Sequence, residues 1–454
     1  MNKAALSAEE QQRLEAMFQL ALTNTDKQLV MEDDGTAYVK TGDIPAEWLR
    51  DSSAQMRPYL FFAKEDESAR EKLKAVIEQQ ALYIAVDPYA NAFRDDFKVW
   101  TRDFELDSLS YPILLAWTYW KVTGDASIFT PAVKAGFEAA LKTMEIEQDH
   151  DGKSSYTHPG MGKNPVGNTG MIWSSHRPSD DACQYNFLIP SQIQAVQALA
   201  ALGEMEMFMG RTGMAARAQK LKTEVHEGIE KFGTVEHPKY GRIYAYEVDG
   251  LGNANLMDDA NIPSLLSIPY FGYASEKDPV YAATRRFVLS EDNPYFYSGR
   301  FKEQDISGIG SPHTPATMIR SLGRLAEGLV TRKPAEQLGT LKMVFSKTIH
   351  PRKRTGLIWP LAHLAQGLTT RDPKEQMSVL KMLLASDSGD HRLHESYLPN
   401  NPKVFTRKDF GWPNALFAEF VLTTLKGRPQ LPVPAAPSLS HSRREPPKPG
   451  FRRA

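Results

Sequence analysis

Thiols are almost absent from this chain. A single cysteine, Cys183, stands among 454 residues, which excludes an internal disulfide and a zinc site built from cysteines. Long apolar runs are also missing: no stretch of 18 apolar residues occurs, so no helix is expected to span a membrane. The N-terminal segment MNKAALSAEEQQRLEAMF lacks the apolar stretch of a secretory signal, so a cytoplasmic location is expected. Charge of one sign is lacking as well. A formal net charge of -1 argues against nucleic acid as the main partner. No G-x-x-x-x-G-K phosphate cradle and no G-x-S-x-G nucleophile elbow occur, and no base is assigned to Cys183. With 41% hydrophobic and 24% charged residues, the composition is that of a globular protein with a large core.

Helical signals dominate what is present. Ser7 and Glu10 form a capping box ahead of Leu14, Met17, Phe18 and Ala21, which share one helix face. Leu29 to Met31 and Ala37 to Val39 flank Asp34-Gly35 as a short hairpin. Glu71 to Ile84 is amphipathic, and Leu106 to Val122 is apolar nearly all round, as a buried helix would be. Thr130-Pro131 opens a helix to about Met144. Gln192 to Met209, Met214 to Phe232 and Asp278 to Leu289 follow, and Pro263 is read as opening another. Helical pairs joined by long loops predict an all-α domain of helical hairpins. Periodicity alone does not separate a closed toroid from an open bundle.

The loops hold the chemistry. In Thr41 to Gln55, Gly42 and Pro45 make a turn, and Ser52 with Gln55 reads as a capping box that starts a helix. Pro58 is expected to kink that helix. Arg50, Asp51 and Trp48 then stand at its mouth. A guanidinium and a carboxylate suit vicinal hydroxyls, and an indole suits the apolar face of a sugar ring; a structural Arg-Asp pair is the competing reading. The long stretch Asp149 to Ile189 contains Arg177-Pro178-Ser179-Asp180-Asp181. Adjacent aspartates raise each other's pKa, as an acid that must keep its proton requires, and Arg177 is placed to hold one ionised. His394-Glu395 offers a base beside a possible partner. Asp258, Asp259 and Asn261 form an acidic cluster whose spacing matches no calcium loop. His313 is held between prolines, and Asp107 follows Glu105 in a further acidic block.

The run GDIPAEWLRDSSAQ, together with the RPSDD, HES-aromatic, SPHTP and FGWPN blocks, resembles glycoside hydrolase family 125, the metal-independent exo-α-1,6-mannosidases. The resemblance runs from about Leu14 to Leu425. It implies an (α/α)6 barrel with long loops forming the site at one end. It also implies inverting release of terminal α-1,6-linked mannose from N-glycan-derived oligosaccharides, with no metal and no cofactor. Asp180 or Asp181 would be the acid and Glu395 the base acting on water. Trp48, Arg50, Asp51, Asp107, Arg177, Asp259, His313, Trp359, Trp412 and Asn414 would bind an α-mannoside substrate, and neither nucleic acid nor membrane would be a partner.

One departure stands out. Ile319-Arg320-Ser321-Leu322 to Met343 repeats as Ile358-Trp359-Pro360-Leu361 to Met382, thirty-nine residues on. Residues 316–354 therefore read as a duplicated helical insert within a catalytic domain of residues 1–426. Two alternatives to the hydrolase stay open: a catalytically inactive mannoglycan-binding protein, and another α-barrel glycosidase or phosphorylase. The proline- and arginine-rich stretch 427–454 is expected to be a disordered tail.

Overall fold

The computed structural model of the chain describes residues 6–158, 164–314 and 356–439. Its principal helices are α1 (Ala8–Gln28), α2 (Leu49–Leu60), α3 (Glu67–Val86), α4 (Leu106–Thr123), α5 (Pro131–Glu147), α6 (Ile189–Phe208), α7 (Thr212–Phe232), α8 (Pro279–Val288), α9 (Pro360–Leu368), α10 (Pro373–Ala385) and α11 (Gly411–Thr424). Their starts follow from local chemistry. Ser7, Asp66, Thr130, Asp278 and Asp372 each accept a backbone N–H of the first turn, filling donors that a helix leaves unpaired. Proline occupies the first turn of α5, α6, α8, α9 and α10, where its missing N–H removes no helical bond.

Burial sorts the helices into two rings. Every residue of α4 from Leu106 to Tyr119 is buried, as is all of α11 from Gly411 to Leu422. Such helices have no solvent face and belong inside. The outer α3, α5 and α7 bury one stripe each. The inner ring runs α2, α4, α6, then the 3-10 turn Ile268–Phe271, then α9 and α11, and α11 packs back on α2. With α1, α3, α5, α7, α8 and α10 outside, this is an (α/α)6 barrel whose fourth inner position is a turn rather than a helix. The copy of the repeat at 358–382 supplies the inner–outer pair α9–α10. The copy at 319–343, with the proposed insert 316–354, lies outside the described residues.

Strands are short and confined to connecting loops. Leu29–Met31 pairs with Ala37–Val39, as the Asp34-Gly35 turn predicts. Glu47–Trp48, Ala92–Phe93 and Val99–Thr101 form a three-stranded antiparallel patch beside α2.

Two expectations need correction. α2 begins at Leu49, not Ser52, because Ser52 and Gln55 have distant partners: Gln80 Nε2 donates to Ser52 Oγ (2.7 Å), and Gln55 Nε2 donates to Gln28 Oε1 (2.7 Å). Pro58 lies inside α2 as expected, in its last turn. Pro263 opens no helix. Asp258 accepts the backbone N–H groups of Leu265 (2.8 Å) and Leu266 (3.1 Å), holding that segment as a loop. The tail also differs from expectation over its described part. Residues 427–439 lie along the barrel, where Gln197 Nε2 donates to the Pro434 carbonyl (3.2 Å) and the Ser438 carbonyl meets His226 Nε2 (3.2 Å).

Candidate active site

The first turns of the inner helices meet at one end of the barrel. There Thr41, Ile44, Trp48, Arg50, Asp51, Pro178, Ser179, Asp180, Asn261, His313, Trp359, Glu395, Arg407, Phe410 and Trp412 line an open cleft. Gly42 closes the loop that forms one wall. Its φ is +149°, and a Cβ there would lie 2.3 Å from the Asp409 carbonyl oxygen, so only glycine fits against the C-terminal loop.

Arg50 is the floor. Its Nη1 donates to Glu105 Oε2 (2.6 Å) and Asp107 Oδ2 (3.1 Å), and its Nη2 to Asp180 Oδ1 (3.4 Å). Its Nε faces Asp51 Oδ2 at 3.4 Å. One guanidinium thus serves four carboxyl groups. Burial raises Glu105 well above the ordinary carboxyl range, and raises Asp107, each against the pull of Arg50. Burial likewise lifts Asp51 to about 6. The positive ends of α2 and α4 favour the negative charge that remains. Buried donors and acceptors normally find partners. Here Trp48 Nε1, Arg50 Nε, Asp51 Oδ2 and Glu105 Oε1 meet none in good geometry among the described residues. Arg50 Nε and Asp51 Oδ2 face only each other, and Trp48, Arg50 and Asp51 all belong to the lining of the cleft.

The Asp180 loop is a tight turn. Asp180 N–H donates to the Arg177 carbonyl and Arg177 N–H to the Asp181 carbonyl. Asp180 has φ +63°, a left-handed conformation uncommon outside glycine. Its side chain is 36% exposed on the cleft. Asp181 does not line the cleft: it accepts from Ser179 Oγ (3.2 Å) and faces His313 Nδ1 (3.4 Å). That pairing, opposed by burial, raises His313 to about 9, so its imidazole is cationic at neutral pH.

Arg177 holds neither aspartate's side chain. It pairs with Glu247 Oε1 (2.6 Å) and lies over the Tyr246 ring, and Glu247 also accepts from the backbone N–H groups of Gln184 and Tyr185. Arg177 therefore braces the loop from behind.

Glu395 is 6% exposed at the opposite end of the sequence motifs, and burial raises its pKa against Thr406, Arg407 and His313. Arg407 Nη1 lies 3.8 Å from its Oε1. Arg407 is itself fixed by Asp43 Oδ1, to which Nε (2.9 Å) and Nη2 (2.7 Å) donate. His394 is not the partner of Glu395. It stacks on Phe405 with centroids 3.6 Å apart, and its Nδ1 meets the Lys408 carbonyl (3.1 Å).

Asn414, expected to touch substrate, works as a loop clamp. It accepts from Leu393 N–H (3.0 Å) and donates to the carbonyls of Leu393 and Phe410 (both 2.8 Å). Asp259 is fully buried and holds Asn261 and Ser311 Oγ (3.2 Å), which seats the His313 loop. Asp107 lies under Arg50. Of the thirteen site residues expected from sequence, Trp48, Arg50, Asp51, Asp180, His313, Trp359, Glu395 and Trp412 reach the cleft. Asp107, Arg177, Asp181, Asp259 and Asn414 stand behind it. Arg407, Phe410 and Glu105 were missed as site residues, although they fall inside or beside the recognised blocks, and Asn261 of the Asp258-Asp259 cluster also reaches the cleft.

Trp359 Nε1 donates to Thr314 Oγ1 (2.7 Å), joining the flanks of the undescribed stretch 315–355. Trp359, Phe410 and Trp412 meet edge to face, with centroids 6.4 and 6.2 Å apart. Carboxyl groups and flat aromatic faces gathered in one pocket suit the cleavage of a glycosidic bond, and this places the molecule among the glycoside hydrolases.

The chain belongs to glycoside hydrolase family 125, the metal-independent α-mannosidases, whose sequence pattern matches residues 11–352 and 348–422. It is similar to a Streptococcus pneumoniae metal-independent α-mannosidase in a non-productive substrate complex with α-1,6-mannobiose. The two are 37% identical, with 92% of this chain and 95% of the other covered and a TM-score of 0.79. The Meiotically up-regulated gene 157 protein of Schizosaccharomyces pombe is 34% identical over 440 residues, 87% of this chain and 77% of the relative. A glucoamylase from Saccharomycopsis fibuligera shares the fold alone: 10% identity, 93% and 97% coverage, TM-score 0.55. Among the described residues, no helix is long and apolar enough to cross a membrane.

Proposed function

We propose that this family member is an inverting exo-α-1,6-mannosidase that removes non-reducing terminal mannose from N-glycan-derived oligosaccharides. The observation that carries the reading is that Asp180 and Glu395, more than two hundred residues apart in sequence, line one cleft. Of the two adjacent aspartates, Asp180 is the acid: it faces the cleft, while Asp181 is engaged by His313 and Ser179. Asp180 donates its proton to the leaving glycosidic oxygen. Glu395 accepts a proton from a water molecule, which attacks the anomeric carbon on the opposite ring face. Arg50 and Asp51 bind vicinal hydroxyls, and the indoles of Trp48, Trp359 and Trp412 cover the apolar ring face. The neighbour's α-1,6-mannobiose complex supports the linkage.

A second reading has one observation behind it. The family's pattern matches in two segments that meet at 348–352, at the end of the proposed insert, so an obstructed site that binds mannoglycan without turnover is the alternative. The bond from Trp359 to Thr314 favours the active enzyme, because the flanks of the insert meet at the cleft wall. Incubation with α-1,6-mannobiose and a chelator decides between them. Free mannose is expected. Binding in calorimetry with no release, reversed by deleting residues 316–354, would establish the obstructed form.

A further inference from the structure

We propose that Asp103, His158 and His176 form a site for a divalent ion of the zinc class, outside the catalytic cleft, that fastens the neck of the Asp180 loop to the barrel. The three residues come from separate segments: Asp103 from the link between Val99–Thr101 and α4, His158 from the stretch after α5, and His176 from the start of the loop that holds Arg177 to Asp181. One ligand atom from each lies within 4.8 Å of the other two. His158 Nε2 is 2.8 Å from Asp103 Oδ1, and the two imidazoles meet edge to face with centroids 4.7 Å apart. Two imidazole nitrogens and one carboxylate oxygen suit zinc and its first-row neighbours, and suit magnesium or calcium poorly.

The surrounding hydrogen bonds prepare the donors. Ser175 Oγ lies 2.8 Å from both the Phe104 carbonyl oxygen and His176 Nδ1. With Nδ1 of His176 donating to Ser175, its Nε2 would present a lone pair to an ion, the arrangement ligating histidines generally use. Nδ1 of His158 is buried and meets no hydrogen-bond partner among the described residues. His176 also forms the backbone bridge to Ala182 that closes the neck of the loop. An ion here would tie that neck to the segments on either side. None of the three residues lines the cleft, so the ion would not touch the sugar, in keeping with a metal-independent family.

The test uses the full chain without an affinity tag, stripped with chelator and then titrated with zinc chloride. One zinc per chain is expected by elemental analysis, with a rise in Tm of roughly a few degrees at saturation and none with magnesium. His158→Ala, and separately the isosteric Asp103→Asn, should abolish both uptake and shift, while mannoside cleavage in chelator stays within about twofold of wild type. Three results overturn the proposal: no stoichiometric uptake by the wild type, uptake that survives in both variants, or an equal shift with magnesium.

Discussion

Helix α2 carries two arginines seven residues apart on the same face, and they have opposite fates. Arg57, in the last turn, meets one carboxylate. Its Nε and Nη2 each donate to Glu419 at 2.8 Å, the Tyr270 hydroxyl adds a third bond to Glu419, and the Tyr270 ring lies 4.9 Å beneath the guanidinium. Every charge there has its answer. Arg50, in the first turn, meets four carboxyl groups and leaves buried polar atoms unfilled. A matched buried pair is architecture. A buried excess of acids with unfilled hydrogen-bonding capacity, open to a cleft, is the mark of a site assembled for a ligand, held at some cost to the fold.

The sharpest break of this comparison is chemical. Glu395→Gln or Asp180→Asn is expected to lower turnover of an α-1,6-mannoside by about 10²–10⁴-fold, with Tm nearly unchanged; a variant that keeps its turnover removes that residue from catalysis. At the other end of α2 the loss is in stability. Glu419→Ala strands Arg57, and about 3–5 kcal/mol of unfolding free energy is expected to go, measured by denaturant titration, with turnover per folded molecule kept. A stability loss at neither end would dissolve the contrast.

A smaller effect sharpens it. The folded pKa of Asp51, about 6, lies above the ordinary value of 3.8. The folded protein therefore holds more protons than the unfolded chain between those values, and stability falls as pH rises through that window. Asp51→Asn is thus expected to raise Tm at pH 7.5, with the gain shrinking towards pH 4.5, while mannoside affinity drops. A Tm difference that does not change with pH would mean Asp51 is no source of strain at this site.

Local patterns in the sequence were enough for much of the fold. The Ser7 and Thr130 caps, the Asp34-Gly35 hairpin and the all-round apolar α4 are read correctly because each depends on neighbours within a few residues. The misreadings share one cause. Ser52 and Gln55 look like a capping box but bond to Gln80 and Gln28, and Pro263 looks like a helix start but follows Asp258, which claims the next free N–H groups. Tertiary partners overrode local preference. Closure of the ring and the family blocks came from resemblance, not from periodicity.

The site divides in the same way. Residues whose type suits sugar binding and whose loop is recognisable, such as Arg50, Asp180 and Glu395, reach the cleft. Arg177 and Asn414 look equally suitable but are consumed by Glu247, seventy positions away, and by Leu393, twenty-one positions away. Nothing local announces those partners. Arg407 was legible only as a neighbour of Phe405 and Thr406, and its link to Glu395 depends on Asp43 from the other end of the chain.

The central claim is that an acid and a base act on one sugar with water between them. Proton NMR of the first turnovers on α-1,6-mannobiose tests it most directly. The account predicts β-mannose as the initial product, which then mutarotates; α-mannose appearing first would mean retention and would contradict a water-activating role for Glu395.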